Sequence, residues 1–190
     1  AKYASIPVIN GLTDFCHPCQ VLADLMTIRE HKGKLEGLKL CYVGDGNNMA
    51  NSLIVGGLKC GMKVSIACPA DYQPDPQVLA FAQEYPGMFQ CTPDILAAAQ
   101  DADVLYTDVW ASMGQEGEFN QRKLVFEGYQ INDAVMAVAH PEAMVQHCLP
   151  AHRGEEISTA VFEQHADEIF DEAENRLHVQ KAVLAILLAG

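Results

Sequence analysis

The chain has 190 residues, enough to bury a sizeable core in one domain, or in one domain with an extra arm. With 49% apolar and 19% charged residues it reads as globular rather than disordered. Its net charge of −13 repels phosphate backbones and anionic lipid, which argues against nucleic-acid or membrane binding but leaves room for a small anion at a local basic or helix-end site. The seven cysteines (Cys16, Cys19, Cys41, Cys60, Cys68, Cys91 and Cys148) are odd in number and irregularly spaced, with several inside apolar runs. That pattern predicts reduced thiols in a cytosol-like compartment rather than a disulfide framework. No signal peptide is visible at Ala1, and the longest apolar run, Ala182 to Gly190, is too short to span a bilayer.

In chain order, Val21, Leu22, Leu25, Met26 and Arg29 predict a helix over about 17–31, capped by Thr13 or Asp14 and ended by Gly33. Leu38 to Val43 is a short apolar strand closed by Gly44-Asp45-Gly46. A helix follows over about Asn48–Cys60, ended by Gly61. Lys63–Cys68 reads as a strand and Pro76 to about Tyr85 as a helix. A strand near 88–91, a helix over Pro93–Ala99 and a strand over Asp103–Thr107 come next. Residues 108–120 are polar and Gly-containing, and read as a long loop. Asn132–Ala139 is a helix, Val145–Cys148 a strand, Ser158–Gln164 a capped helix, and about Glu174–Ala189 the last helix. Strands alternating with helices predict an α/β, Rossmann-like domain with a mostly parallel sheet. Ligands of such sheets bind beyond the carboxyl ends of the strands, which marks Gly44–Asn48, Thr107–Gly114 and His147–Pro150. The final helix is apolar on nearly every side through Leu177, Val183, Leu184, Ile186 and Leu187, so it calls for cover from a further surface.

Those marked segments carry the chemistry. Gly44-Asp45-Gly46-Asn47-Asn48 lacks the third glycine of a dinucleotide loop; it is a capped turn, or a pair of amides holding a carboxylate at a helix N-terminus. In Asp108-Val109-Trp110-Ala111-Ser112-Met113-Gly114, Asp108 and Ser112 are placed to grip an ammonium group, or merely cap a surface loop. Cys148, between His147 and His152, is a buried thiol, a metal ligand, or a thiol or thiolate in a reaction site. Cys16-His17-Pro18-Cys19 raises the redox and zinc readings of C-x-x-C, but no second pair accompanies it. His17 and Gln20, at a helix start, suit an anion or carbonyl oxygen. Arg176 is either ion-paired within an acidic helix start or aimed at phosphate.

Taken in this order, Phe15-Cys16-His17-Pro18-Cys19-Gln20, Gly44-Asp45-Gly46-Asn47-Asn48, Asp108-Val109-Trp110-Ala111-Ser112-Met113-Gly114, His147-Cys148-Leu149-Pro150 and Glu174-Asn175-Arg176 resemble the ornithine carbamoyltransferase family over nearly the whole chain. The resemblance implies transfer of a carbamoyl group from carbamoyl phosphate to L-ornithine, giving citrulline and phosphate, with no metal or organic cofactor. It implies that Asn48 holds the ornithine carboxylate, that Asp108 and Ser112 hold the α-ammonium, and that Met113 lies along the aliphatic chain. His17, Pro18, Cys19, Gln20, Cys148, Leu149 and Arg176 would face carbamoyl phosphate, with Cys148, Asp108 and His17 as the catalytic groups. Arginine synthesis, a homotrimer and a cytoplasmic setting (or a mitochondrial matrix) also follow from it.

The departure is as informative. The family's Ser-Thr-Arg-Thr phosphate-gripping motif does not occur in these residues. The expected organisation is an interdomain segment over 1–16 leading from an absent N-terminal carbamoyl-phosphate domain, an ornithine-binding domain over 17–175, and a C-terminal helix over 176–190 that packs on the absent domain. Such a chain is a fragment or processed form, expected to be inactive alone. The rival expectations are a carbamoyltransferase for another amine acceptor and a non-catalytic amino-acid-binding module.

Overall fold

The computed structural model describes residues 1–111 and 119–188. Among them, five strands form one sheet in the order β3-β2-β1-β4-β5, and every pairing is parallel. The strands are β1 (Lys39–Val43), β2 (Lys63–Ala67), β3 (Phe89–Thr92), β4 (Val104–Thr107) and β5 (Met144–His147). The chain runs outward from β1 to β3, then returns to place β4 on the other side of β1. This reversal leaves a crevice at the carboxyl ends of β1 and β4.

The strand sequences explain a sheet covered on both faces. In β1, Leu40 and Tyr42 point to one layer while Cys41 and Val43 point to the other, and all four are fully buried. The first layer holds α1 (Pro18–Lys32), α2 (Asn48–Lys59) and α3 (Pro76–Ala82) against Tyr42, Ile66, Val104 and Tyr106. The second holds α4 (Ile95–Ala99), α6 (Asp133–Val138) and α7 (Thr159–Gln164) against Val43, Leu105 and Val145. In sequence, α5 (Phe119–Val125) falls between α4 and α6, and α8 (Ala166–Leu188) follows α7 and packs along α1.

Four expectations change. The first helix has His17 at its N-cap with no side-chain cap; Thr13 instead accepts from the Cys16 N–H at 3.2 Å. Its buried face carries polar Gln20, Asp24 and Thr27, while Leu22 is exposed. A helix, α5, occupies part of the stretch read as a long loop. The last helix begins at Ala166, so Arg176 lies in its middle rather than at its start. As expected, Gly33 ends α1 in the left-handed conformation (φ 74°) and returns its N–H to Arg29 O. The far part of α8 keeps Leu177, Leu184, Ile186, Leu187 and Leu188 exposed, as do Tyr3, Ile6 and Val8 near the N-terminus.

Candidate active site

The crevice between β1 and β4 is floored by a turn that only glycine can make. A Cβ on Gly46 would lie 2.3 Å from the backbone of Gln73 and Pro74, so the 69–75 loop seats directly on this turn. The next residue, Asn47, caps α2: its Oδ1 accepts from Met49 N at 2.9 Å and Ala50 N at 3.2 Å. Its Nδ2 crosses the crevice and donates to Asp108 Oδ2 at 3.1 Å. Asn48, one step on, points elsewhere and donates to Thr13 O at 2.8 Å. The two amides expected to act as a pair are therefore split between crevice and N-terminal segment. Asp45, in the same turn, is buried against Arg122 of α5 at 2.6 Å, and that guanidinium also donates to Trp110 O and lies over the Tyr72 ring.

Asp108 leaves β4 and brings the crevice to β5. Its Oδ1 accepts from Val109 N at 2.8 Å and from the Cys148 thiol at 3.0 Å. Burial pushes the Cys148 thiol well above its ordinary value, and the Asp108 carboxylate beside it adds to the shift. Of the readings open for this cysteine, the geometry selects a neutral thiol acting as donor over a thiolate. Ser112, Met113 and Gly114 lie outside the described residues.

His147, directly before Cys148, is a buried hub. Its Nδ1 accepts from Leu149 N at 2.9 Å, so its Nε2 carries the proton and donates to Glu156 Oε1 at 3.1 Å. This anchors Leu149, whose φ of 54° is rare for a branched side chain. Glu156 also accepts from His152 N, and with the His147 ring on Glu156 and the Cys148 thiol on Asp108, the ligand atoms of His147, Cys148 and His152 are not grouped among the described residues. Among the described residues the group His152, Glu155 and Glu156 could hold an ion, but Lys123 already contacts Glu155 at 2.8 Å. The thiols of Cys16 and Cys19 engage Asn10 rather than each other.

A second polar cluster adjoins the first. Gln20 of α1 donates its Nε2 to Asp24 Oδ1 at 2.8 Å and to Glu172 Oε1 at 3.1 Å, which turns its Oε1 towards Arg176. Glu172 also accepts from Tyr106 OH at 3.1 Å and His147 N at 2.9 Å. Burial pushes the Asp24 carboxyl up to about 7 and drives Glu172 upward as well, so the pair keeps a proton at pH values where exposed carboxyls have lost theirs. His17 is buried; Ser52 Oγ holds its backbone N–H at 2.7 Å. Burial and then the Arg176 charge lower its pKa, which keeps its imidazole neutral. His17 Nδ1 and Arg176 Nε are buried without a hydrogen-bond partner among the described residues. Pro18 opens α1 beside His17, and the buried Cys19 faces back to Asn10. The clusters thus present unpartnered polar atoms from the N-cap of α1 and from α8, His17 Nδ1 and Arg176 Nε, beside the polar groups of β4 and β5.

Residues 36–187 match the family model described as aspartate/ornithine carbamoyltransferase, Asp/Orn binding domain, and residues 1–30 match the carbamoyl-P binding domain of the same family. The chain belongs to the aspartate/ornithine carbamoyltransferase family. It is 58% identical to an ornithine carbamoyltransferase of Gloeobacter violaceus and 53% identical to one of Thermococcus kodakarensis, in both cases over all of this chain. It spans about 62% of the length of these curated relatives. Among solved structures, the Pyrococcus furiosus ornithine carbamoyltransferase shares 52% identity with a TM-score of 0.89, over 97% of this chain and 60% of that one. The anabolic enzyme of Campylobacter jejuni gives 42% and 0.92, over 98% of this chain and 63% of that one. The α/β, Rossmann-like reading therefore stands as the fold of this family member.

Sequence reasoning missed several groups that build the site. Asn47, rather than Asn48, is the amide that reaches Asp108. Glu172 hid in the acidic run Asp171-Glu172-Ala173-Glu174, where only its burial sets it apart. Asp24 lies four residues after Gln20, a helical neighbour spacing that could have flagged a polar pair on one face.

Proposed function

We propose that this chain is the ornithine-binding part of an ornithine carbamoyltransferase, which transfers a carbamoyl group from carbamoyl phosphate to the side-chain amine of L-ornithine. The observation that carries the reading is Asp108 at the switch point between β1 and β4, holding the Asn47 amide and the Cys148 thiol at 3.1 and 3.0 Å. A carboxylate in a crevice beyond parallel strands suits an α-ammonium group, with Ser112 as its second partner and Met113 along the aliphatic chain. Asn48 binds the ornithine carboxylate in this reading, releasing Thr13 O to do so.

In the reaction the neutral amine attacks the carbamoyl carbon, the C–O bond to phosphate breaks, and the amine proton is lost. Cys148, as a neutral thiol, sits beside the amine and offers it a soft hydrogen-bonding contact without adding a charge. The developing oxyanion needs donors: Arg176 Nε is buried and unpaired for that role, and His17 Nδ1 serves it in the tautomer that carries the proton there. Gln20, Leu149 and the Pro18-Cys19 backbone orient the carbamoyl group, and the Asp24–Glu172 pair holds Gln20 in register. Phosphate is gripped by the family's carbamoyl-phosphate domain. We further infer a homotrimer serving arginine synthesis in the cytoplasm, with neither metal nor organic cofactor. Calorimetric titration of the chain tests the substrate: L-ornithine is expected to bind and L-aspartate not to. Tighter binding of L-aspartate would overturn the assignment.

A further inference from the structure

Away from the crevice, the ends of β2 and the edge strand β3 bring two thiols together. Cys68 Sγ lies 3.7 Å from Cys91 Sγ. Gln73 bridges them: its Nε2 donates to Cys68 Sγ at 3.5 Å, and its Oε1 accepts from the Cys91 thiol at 3.3 Å. Cys68 is fully buried and Cys91 is partly exposed, so a small reagent meets Cys91 first.

We propose that Cys68 and Cys91 form a reversible dithiol–disulfide site that takes its oxidising equivalents from a peroxide. The roles are unequal. Their contact at 3.7 Å couples the two thiols, lowering the pKa of Cys91 and raising that of Cys68, and Cys91 is the one that solvent reaches. Elsewhere, burial pushes Cys41 up to about 11 and Cys148 well above the ordinary thiol value. Cys91 therefore combines access with the lower pKa of the pair. Its sulphur attacks one peroxide oxygen, the O–O bond breaks, and hydroxide leaves as Cys91 becomes a sulfenic acid. Cys68, deprotonated as it reacts, then attacks the Cys91 sulphur; the S–O bond breaks, water leaves and the S–S bond forms. In total two thiols lose two electrons and two protons, and the peroxide is reduced to two waters. The sulphurs must close from 3.7 Å to about 2.05 Å, a move for two unbranched side chains on one face of the sheet. Because the Gln73 backbone rests on Gly46, the site lies one loop away from the turn that carries Asn47.

The test needs no substrate, so its outcome is separate from that of the transferase reading. The chain is treated with equimolar hydrogen peroxide, alkylated and peptide-mapped. The expected product is a Cys68–Cys91 linked peptide, with whole-chain mass lower by two hydrogens and restored by dithiothreitol. Cys68→Ser should halt at Cys91 sulfenic acid, captured by dimedone, while Cys91→Ser should give neither product. Alkylation of both Cys68 and Cys91 after peroxide treatment, or oxidation of Cys148 or Cys16 ahead of Cys91, would overturn the proposal.

Discussion

Replacing Asp24 by Asn probes the buried carboxyl pair without changing its shape. The oxygen of the introduced amide can still accept from Gln20, and its nitrogen supplies to Glu172 the hydrogen that the shared proton supplies now. In the wild type, burial raises Asp24 from 3.8 to about 7. The folded protein therefore keeps a proton that the unfolded chain releases near pH 3.8. Between that pH and about 7 the unfolded state binds fewer protons, so the Asp24 contribution to stability falls as pH rises and levels off above the folded value, while the raised Glu172 carboxyl adds a fall of the same sign. At about 1.4 kcal/mol per pKa unit, full ionisation of Asp24 costs about 4 kcal/mol. Most of this, about 2–3 kcal/mol, accrues between about pH 5 and about pH 8. Urea unfolding followed by circular dichroism at those two pH values should show wild type losing more than Asp24→Asn by about that amount, the loss from Glu172 being common to both. At about pH 8 the variant should be the more stable, melting higher by about 4–8 °C for a 2 kcal/mol gain in a chain of this size. Parallel pH profiles for the two proteins would refute the reasoning.

Gly46→Ala forces a Cβ to within 2.3 Å of the Gln73 and Pro74 backbone, which cannot retreat cheaply; a loss of about 2 kcal/mol or more is expected, and an unchanged melting temperature would deny the close approach. Arg122→Met removes the guanidinium from the buried Asp45, and about 3–5 kcal/mol of stability should go with it in chemical denaturation; a loss below about 1 kcal/mol would mean that the pair does not hold α5 to the turn.

Much of the fold was legible because β1 and β2 are short runs, mostly apolar, closed by glycine or proline, a pattern that parallel strands buried on both faces show. The strand-end rule then located the crevice before any coordinate did. What periodicity could not reveal is where polar groups do the packing. Helix α5 is anchored by Arg122 against Asp45, so its polar Asn120-Gln121-Arg122-Lys123 stretch shows no apolar stripe, and its first residues fell within the 108–120 loop reading. Helix α8 starts at Ala166 behind Asp167, Glu168 and Asp171, and the buried Glu172 looks like one more surface acid. On α1 the apolar stripe does enter the core through Val21 and Leu25 but not through Leu22, and periodicity gave no sign that Gln20, Asp24 and Thr27 are buried beside it, with Glu172 on Gln20, Gln146 on the Asp24 carbonyl and Asn175 on Thr27. Asn47 and Asn48 are chemically alike and adjacent, and only the turn geometry decides which one faces Asp108.

In the proposed function, Asp108 is the group that receives the α-ammonium of ornithine. Calorimetric titration of L-ornithine into wild type and Asp108→Asn measures this directly, with circular dichroism to verify that both are folded. The neutral amide keeps the shape of the side chain but loses the charge, so affinity is expected to fall by at least about tenfold, or about 1.4 kcal/mol. Equal affinities in the two proteins would contradict that role.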